Sequence, residues 1–175
     1  MNIAQIIKCD IANGTGIRLS IFVSGCTNHC KGCFQPETWD FNYGLKYDES
    51  IKKEIFDELS KGFYDGITLL GGDPMEECNQ RGLLPLMREI KAKYPNLGLW
   101  VYTGFIYDKD LVPGGKRYFD ITDEFLDMID ILVDGPFIES QRNLKLEFRG
   151  SENQRLIKLK KTRKSGNIIQ LWEKR

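Results

Sequence analysis

Short runs of apolar, β-branched and aromatic residues recur along the chain, separated by stretches with helical spacing. Residues 4–8, 19–24, 67–70, 98–103 and 129–134 have the length and composition of buried strands. Between them, Asp48 or Ser50 can cap a helix whose Ile51, Ile55, Phe56 and Leu59 make one apolar stripe ending near Gly62. A second helix is expected over about 79–94, with Leu83, Met87 and Ile90 on one face and Pro95 after it. Pro85 inside that segment predicts a late start or a kink. A third covers about 122–128. Strand, helix, strand in this order predicts an α/β fold with a mostly parallel sheet and right-handed crossovers, and the small number of units predicts an incomplete (βα) barrel. No internal repeat, low-complexity stretch or linker interrupts the pattern.

In such folds the functional residues leave the carboxyl ends of the strands. The unusual stretches fall at those points: SGCTNHCKGCF (24–34) after the second run, GGDP (71–74) after ITLL, Thr103 and Gly104 after GLWVY, and DGPF (134–137) after IDILV. The four loops are expected to converge on one mouth.

Composition narrows the chemistry. The 175 residues suit one domain with a real core, and 41% hydrophobic with 29% charged residues suit a soluble protein. The amino terminus lacks the basic and apolar runs of a signal peptide, and no segment approaches the roughly 18 apolar residues of a membrane span. A cytoplasmic location follows as the expectation, and a reducing cytosol disfavours structural disulfides, for which five cysteines is an odd count.

Cys26, Cys30 and Cys33 put three thiols within eight positions and no fourth nearby. Zinc would need His29 or a distant cysteine to complete four ligands. A dithiol at Cys30 and Cys33 would leave Cys26 without a role. An iron–sulfur cluster accommodates the count, because a four-iron cube on three cysteines keeps one iron open to a substrate. Spacing alone leaves all three readings standing. Gly71 and Gly72 offer close approach to a ligand, and Asp73 a charge-assisted hydrogen bond to an ammonium group; a tight turn with a capping Asp is the alternative, and their position at a strand end favours ligand binding. Cys9 and Cys78 read as buried or incidental thiols, His29 as a solvated or supporting residue, and Trp39 and Trp100 as packing residues. Arg18, Arg149, Asn153 and Gln154 suit either ligand contacts or internal pairing.

Net charge is zero, yet residues 155–175 carry eight cations against one acid, a balance of +7. A solvated extension and a docking surface for an acidic partner explain this equally well. The expected division is a domain over 1–157 followed by a basic segment over 158–175.

The run NGTGIRLSIFVSGCTNHCKGCFQPETWD (13–40), with its Gly-x-Gly-x-Arg, CxxxCxxC and Thr-Trp elements, resembles the signature of radical S-adenosylmethionine enzymes that activate glycyl-radical enzymes. GGDP, WVYTG (100–104), VDGPF (133–137) and RGSENQRL (149–156) resemble the branch of that family acting on anaerobic ribonucleoside-triphosphate reductase. The resemblance implies a partial barrel of radical S-adenosylmethionine type. It further implies one 4Fe-4S cluster on Cys26, Cys30 and Cys33 with its fourth iron open to S-adenosylmethionine, and an oxidoreductase that forms a glycyl radical on the reductase. No catalytic residue is expected beyond cluster and cofactor. Gly71, Gly72, Asp73, Thr103 and Asp134 are the implied cofactor-binding positions, although Tyr102 and Pro136 stand where a relative has Asp and Lys. The implied partners are the reductase and a low-potential electron donor of flavodoxin or ferredoxin class, with neither nucleic acid nor membrane. Activation of another enzyme such as pyruvate formate-lyase is the alternative within the same chemistry. A non-catalytic zinc-binding interaction module is the alternative outside it.

Overall fold

In the computed structural model, which describes residues 1–172, seven strands form one open sheet in the order β3-β1-β2-β4-β5-β6-β7. The strands are β1 (Asn2–Asp10), β2 (Arg18–Val23), β3 (Leu45–Lys46), β4 (Gly66–Gly71), β5 (Gly98–Tyr102), β6 (Ile131–Asp134) and β7 (Arg155–Lys158). The helices are α1 (Glu49–Leu59), α2 (Glu77–Lys93), α3 (Tyr107–Asp110), α4 (Thr122–Met128) and α5 (Leu159–Ser165).

The central four strands, β2, β4, β5 and β6, are parallel, as the alternation of strands and helices predicts. The flanks are antiparallel: β1 pairs with β2 and with β3, and β7 pairs with β6. The connection from β1 to β2 shows why. Only residues 11–17 lie between them, too few for the crossover that a parallel pair needs. The sheet is therefore mixed and does not close into a barrel. The sequence pattern missed β3, β7, α3 and α5. It placed α2 about two residues late, and Pro85 lies inside the continuous helix Glu77–Lys93.

Helix α1 begins where the sequence suggests. Asp48 accepts from the backbone N–H groups of Ser50 at 2.9 Å and Ile51 at 3.0 Å, satisfying two otherwise unpaired donors of the first turn.

All the helices lie on one face of the sheet. Alternate strand residues point that way: Leu19, Ile21 and Val23, then Ile67 and Leu69, then Leu99 and Val101. They meet Ile51, Ile55 and Leu59 of α1, Leu83, Met87 and Ile90 of α2, and Phe125 and Leu126 of α4 in one continuous core. The intervening residues point to the other face. There Trp100, Ile131, Val133 and Leu156 form a smaller cluster with Tyr102, Phe148 and Leu171, while Phe22 and Leu70 line a cavity.

Arg18 at the start of β2 is buried on this second face, beneath the 13–16 loop. Its guanidinium donates to Thr68 Oγ1 at 2.6 Å and to the carbonyls of Ile67 at 2.5 Å, Gly98 at 2.8 Å and Thr15 at 3.1 Å, and it lies 5.4 Å from the Trp100 ring centre. Desolvation lowers its pKa to about 10. Among the described residues it pairs with no carboxylate; it ties the starts of three parallel strands together. Trp100 thus serves as both core residue and cation platform.

The 155–172 segment is part of the same fold. Arg155 of β7 pairs with Asp134 and Asp108, Lys160 of α5 with Asp130, and Arg163 with Asp123 and Asp127. Among the described residues Lys158, Lys161 and Lys164 have no ion-pair partner; Lys174 and Arg175 lie outside them.

Candidate functional site

The carboxyl ends of the parallel strands surround a cavity of about 850 Å³ on the face without helices. Cys26, Cys30 and Cys33 line it, and so do Gly71, Gly72, Asp73 and Thr103. Sequence positions up to 77 residues apart are brought together because parallel strands all end on the same side.

The cysteine loop is anchored at its base. Gly25 N–H donates to the Thr38 carbonyl at 2.8 Å and Cys26 N–H to that of Trp39 at 3.2 Å, which fastens the loop to the 3-10 turn Pro36–Trp39. His29, at a φ of 46°, stacks on Trp39 with ring centres 4.7 Å apart. Trp39 is thus a platform for the loop, and His29 turns onto it.

Cys26 is buried, and Cys30 and Cys33 are half-buried. Burial, together with the charge of Asp73, pushes the Cys26 thiol up to about 12, so its thiolate needs a compensating cation. Burial also raises Cys30. Cys9 and Cys78 are both exposed, which leaves the incidental rather than the buried half of the expectation, and neither lines the cavity.

The three thiols are soft donors, and a cluster and a single ion ask different geometries of them. Among the described residues no three His, Cys, Asp or Glu side chains converge closely enough to share one metal. Thiolates on a cluster each meet a different iron and need no common point. Three soft sulfur donors, one buried and two half-buried on a largely exposed loop, are of the kind that iron–sulfur clusters take.

Asp73 is 1% exposed, and four donors from three segments converge on it. Its Oδ1 accepts from Met75 N–H at 2.9 Å and the Thr103 hydroxyl at 2.8 Å; its Oδ2 accepts from Gly104 N–H at 2.8 Å and the Asn28 side-chain amide at 3.1 Å. Burial pushes its carboxyl up to about 7, against the pull of those donors. Asp73 therefore joins the GGDP turn, the Thr103 turn and the cysteine loop.

The two glycines before it answer to backbone proximity. A Cβ on Gly72 would stand 2.6 Å from the Gly25 carbonyl oxygen, and one on Gly71, whose φ is 102°, 2.7 Å from that of Val23. They let the turn lie against the base of the cysteine loop.

Asp134 is set apart. Its carboxylate accepts from Tyr107 N–H at 2.8 Å and from Arg155 Nε at 2.9 Å, and it does not line the cavity, whereas its neighbour Gly135 does. Arg149 lines the wall with Gln154 and donates to the Gln154 carbonyl at 2.8 Å. The Asn153 side chain is taken up by the Pro136 carbonyl at 2.7 Å. The Tyr102 hydroxyl is buried at the cavity wall and has no hydrogen-bond partner among the described residues.

Sequence reading passed over Asn28, Glu76 and Asn79. Asn79 is fully buried in α2 and donates to the carbonyls of Ser24 and Asp73, each at 2.9 Å. A polar residue on the buried side of an otherwise amphipathic helix is the only signal it leaves.

Residues 12–157 match the family of the 4Fe-4S single cluster domain. A relative from Haemophilus influenzae, named anaerobic ribonucleoside-triphosphate reductase-activating protein, is 37% identical over 162 residues, 91% of this chain and 99% of its own. Proteins of the same name from phage T4 and Escherichia coli K12 are each 35% identical, over 89% and 88% of this chain and 93% and 96% of theirs. Identity of this order along nearly the whole of both chains leaves one assignment: the chain belongs to the family of anaerobic ribonucleoside-triphosphate reductase-activating proteins and carries its 4Fe-4S single cluster domain.

Proposed function

We propose that this protein is a radical S-adenosylmethionine activase that generates a glycyl radical on an anaerobic ribonucleoside-triphosphate reductase. The observation that carries the reading is the meeting of Cys26, Cys30 and Cys33 with the GGDP and Thr103 turns around one cavity. Family membership and the names of the relatives support it. In this reading the one-sided, open sheet is a partial barrel of radical S-adenosylmethionine type.

Cys26, Cys30 and Cys33 would hold three irons of the cluster and leave the fourth for S-adenosylmethionine. The loaded site supplies one low-potential electron for reductive cleavage of the cofactor's sulfonium, the source of a hydrogen-abstracting radical. The chain's own residues bind, orient and exclude water. Gly71 and Gly72 let the turn approach the loop, Asp73 and Thr103 fix the cavity wall, and Phe22 and Leu70 make its floor apolar. Asp134, one residue from the lining Gly135, would act on the cofactor through the turn it anchors. A low-potential flavodoxin or ferredoxin would deliver the electron.

Anaerobic reconstitution followed by iron and sulfide assay and electron paramagnetic resonance of the reductase tests the reading. A cluster spectrum and a glycyl radical dependent on S-adenosylmethionine are expected. A colourless zinc protein would overturn it, and a radical raised on pyruvate formate-lyase but not on the reductase would redirect it.

A further inference from the structure

The turn after β4 carries a second carboxylate with a different task. Glu76, the residue immediately before α2, has a side chain only 6% exposed that makes no capping bond to the helix. Its Oε1 accepts from both the backbone N–H of Thr27 at 2.8 Å and the Thr27 hydroxyl at 2.6 Å. Its Oε2 lies 3.1 Å from Arg117 Nη2, which donates in turn to Thr27 Oγ1 at 2.6 Å. The three side chains close a triangle on the residue that follows Cys26.

Arg117 is itself fixed. Its guanidinium lies 4.6 Å from the Phe105 ring centre, its N–H donates to the Asp110 carbonyl at 2.9 Å, and its carbonyl accepts from Gln80 at 3.1 Å. The segment between α3 and α4 is thereby tied to the cysteine loop. Asp73 meanwhile takes Asn28. Two acids three positions apart thus accept hydrogen bonds from consecutive residues of the loop, Glu76 while ion-paired with Arg117 and Asp73 with no such partner among the described residues.

We propose that Glu76 and Arg117 are positioning residues for the cluster, fixing the Thr27 peptide and setting the charge beside the residue that follows Cys26. The inference rests on the reading that Cys26, Cys30 and Cys33 ligate the cluster. Charges and hydrogen bonds around the ligating sulfurs tune the potential of a cluster. Reduction adds an electron, so a nearby negative charge opposes it and a positive one favours it. Glu76 and Arg117 oppose one another, and removing either leaves the other uncompensated.

The test uses full-length protein reconstituted anaerobically, in wild-type, Glu76→Gln, Arg117→Met and Thr27→Val forms. Iron content is expected to stay at the wild-type level, because the three cysteines remain. The midpoint potential should rise in Glu76→Gln and fall in Arg117→Met, and the spectrum of the reduced cluster should change in Thr27→Val. In cluster-free full-length protein, exchange of the Thr27 amide should quicken about tenfold in Glu76→Ala, the worth of one ordinary hydrogen bond. Thr27 is exposed, so Thr27→Val keeps the fold even where a Glu76 variant does not. Shifts of the same sign in the two charge variants, or wild-type potentials with unchanged Thr27 exchange, would overturn the proposal. A wild-type protein that takes up no cluster would instead remove the reading beneath it, while the exchange measurement would still report whether Glu76 holds Thr27.

Discussion

The Asn28 side-chain amide donates to Asp73 Oδ2 at 3.1 Å, joining the middle of the cysteine loop to the turn at the end of the neighbouring parallel strand. Through this contact the loop and the glycine-rich turn behave as one unit, and Thr103 and Gly104 are held by the same carboxylate.

Asp73→Ala is expected to leave four donors facing a void, with a loss of stability on the order of 3 kcal/mol. Asp73→Asn, which keeps the shape and one acceptor oxygen, should lose less. Affinity for S-adenosylmethionine should fall roughly ten- to a hundredfold in the Ala variant while iron is retained. Urea denaturation at constant m-value and calorimetric titration measure the two effects. Lowered stability with unchanged affinity would confine Asp73 to the fold.

Cys26→Ala, Cys30→Ala and Cys33→Ala should each abolish stable cluster binding. The exposed Cys9 and Cys78 should be replaceable by Ala with iron and sulfide content unchanged. Full iron in a Cys30→Ala protein would contradict the three-cysteine assignment.

Arg18→Met should destabilise the fold on the order of 3 kcal/mol, since several carbonyls and the Thr68 hydroxyl lose a buried donor. Arg18→Lys should recover little of that, because an ammonium lacks the planar fork that reaches Thr68, Ile67 and Gly98 together. Thermal denaturation of the three proteins decides it, and a lysine variant as stable as wild type would refute the forked arrangement.

The cations of the 155–164 segment divide into two groups with different expected phenotypes. Lys161 and Lys164 are exposed and unpaired among the described residues, so changing both to Gln should slow glycyl-radical formation on the reductase and reduce its salt dependence. S-adenosylmethionine cleavage without the reductase should be unaffected. Arg163→Gln, which breaks contacts to Asp123 and Asp127, should lower thermal stability instead. Equal losses in both activity assays for the Lys pair would assign those residues to the fold as well.

Local chemistry made a good part of this protein legible from sequence. Buried parallel strands leave near-continuous apolar runs, so β2, β4, β5 and β6 were marked within a few residues, and Asp48 marked the start of α1. Three cysteines in eight positions signalled metal or redox chemistry without help from any other part of the chain. What tertiary structure decided was the use of long-range partners. The antiparallel pairing of β7 depends on β6, with no trace in its four residues. Arg18 became a strand tie because Ile67 and Gly98 happen to present carbonyls to it, and Arg155 and Arg163 became internal cations because the acids they meet lie more than twenty positions upstream. Asp73 and Glu76 occupy one turn and look alike in sequence. Their surroundings separate them, since one meets four neutral donors and the other an arginine from a distant loop. Side-chain type is local, but the partner that satisfies a buried charge is chosen by the fold.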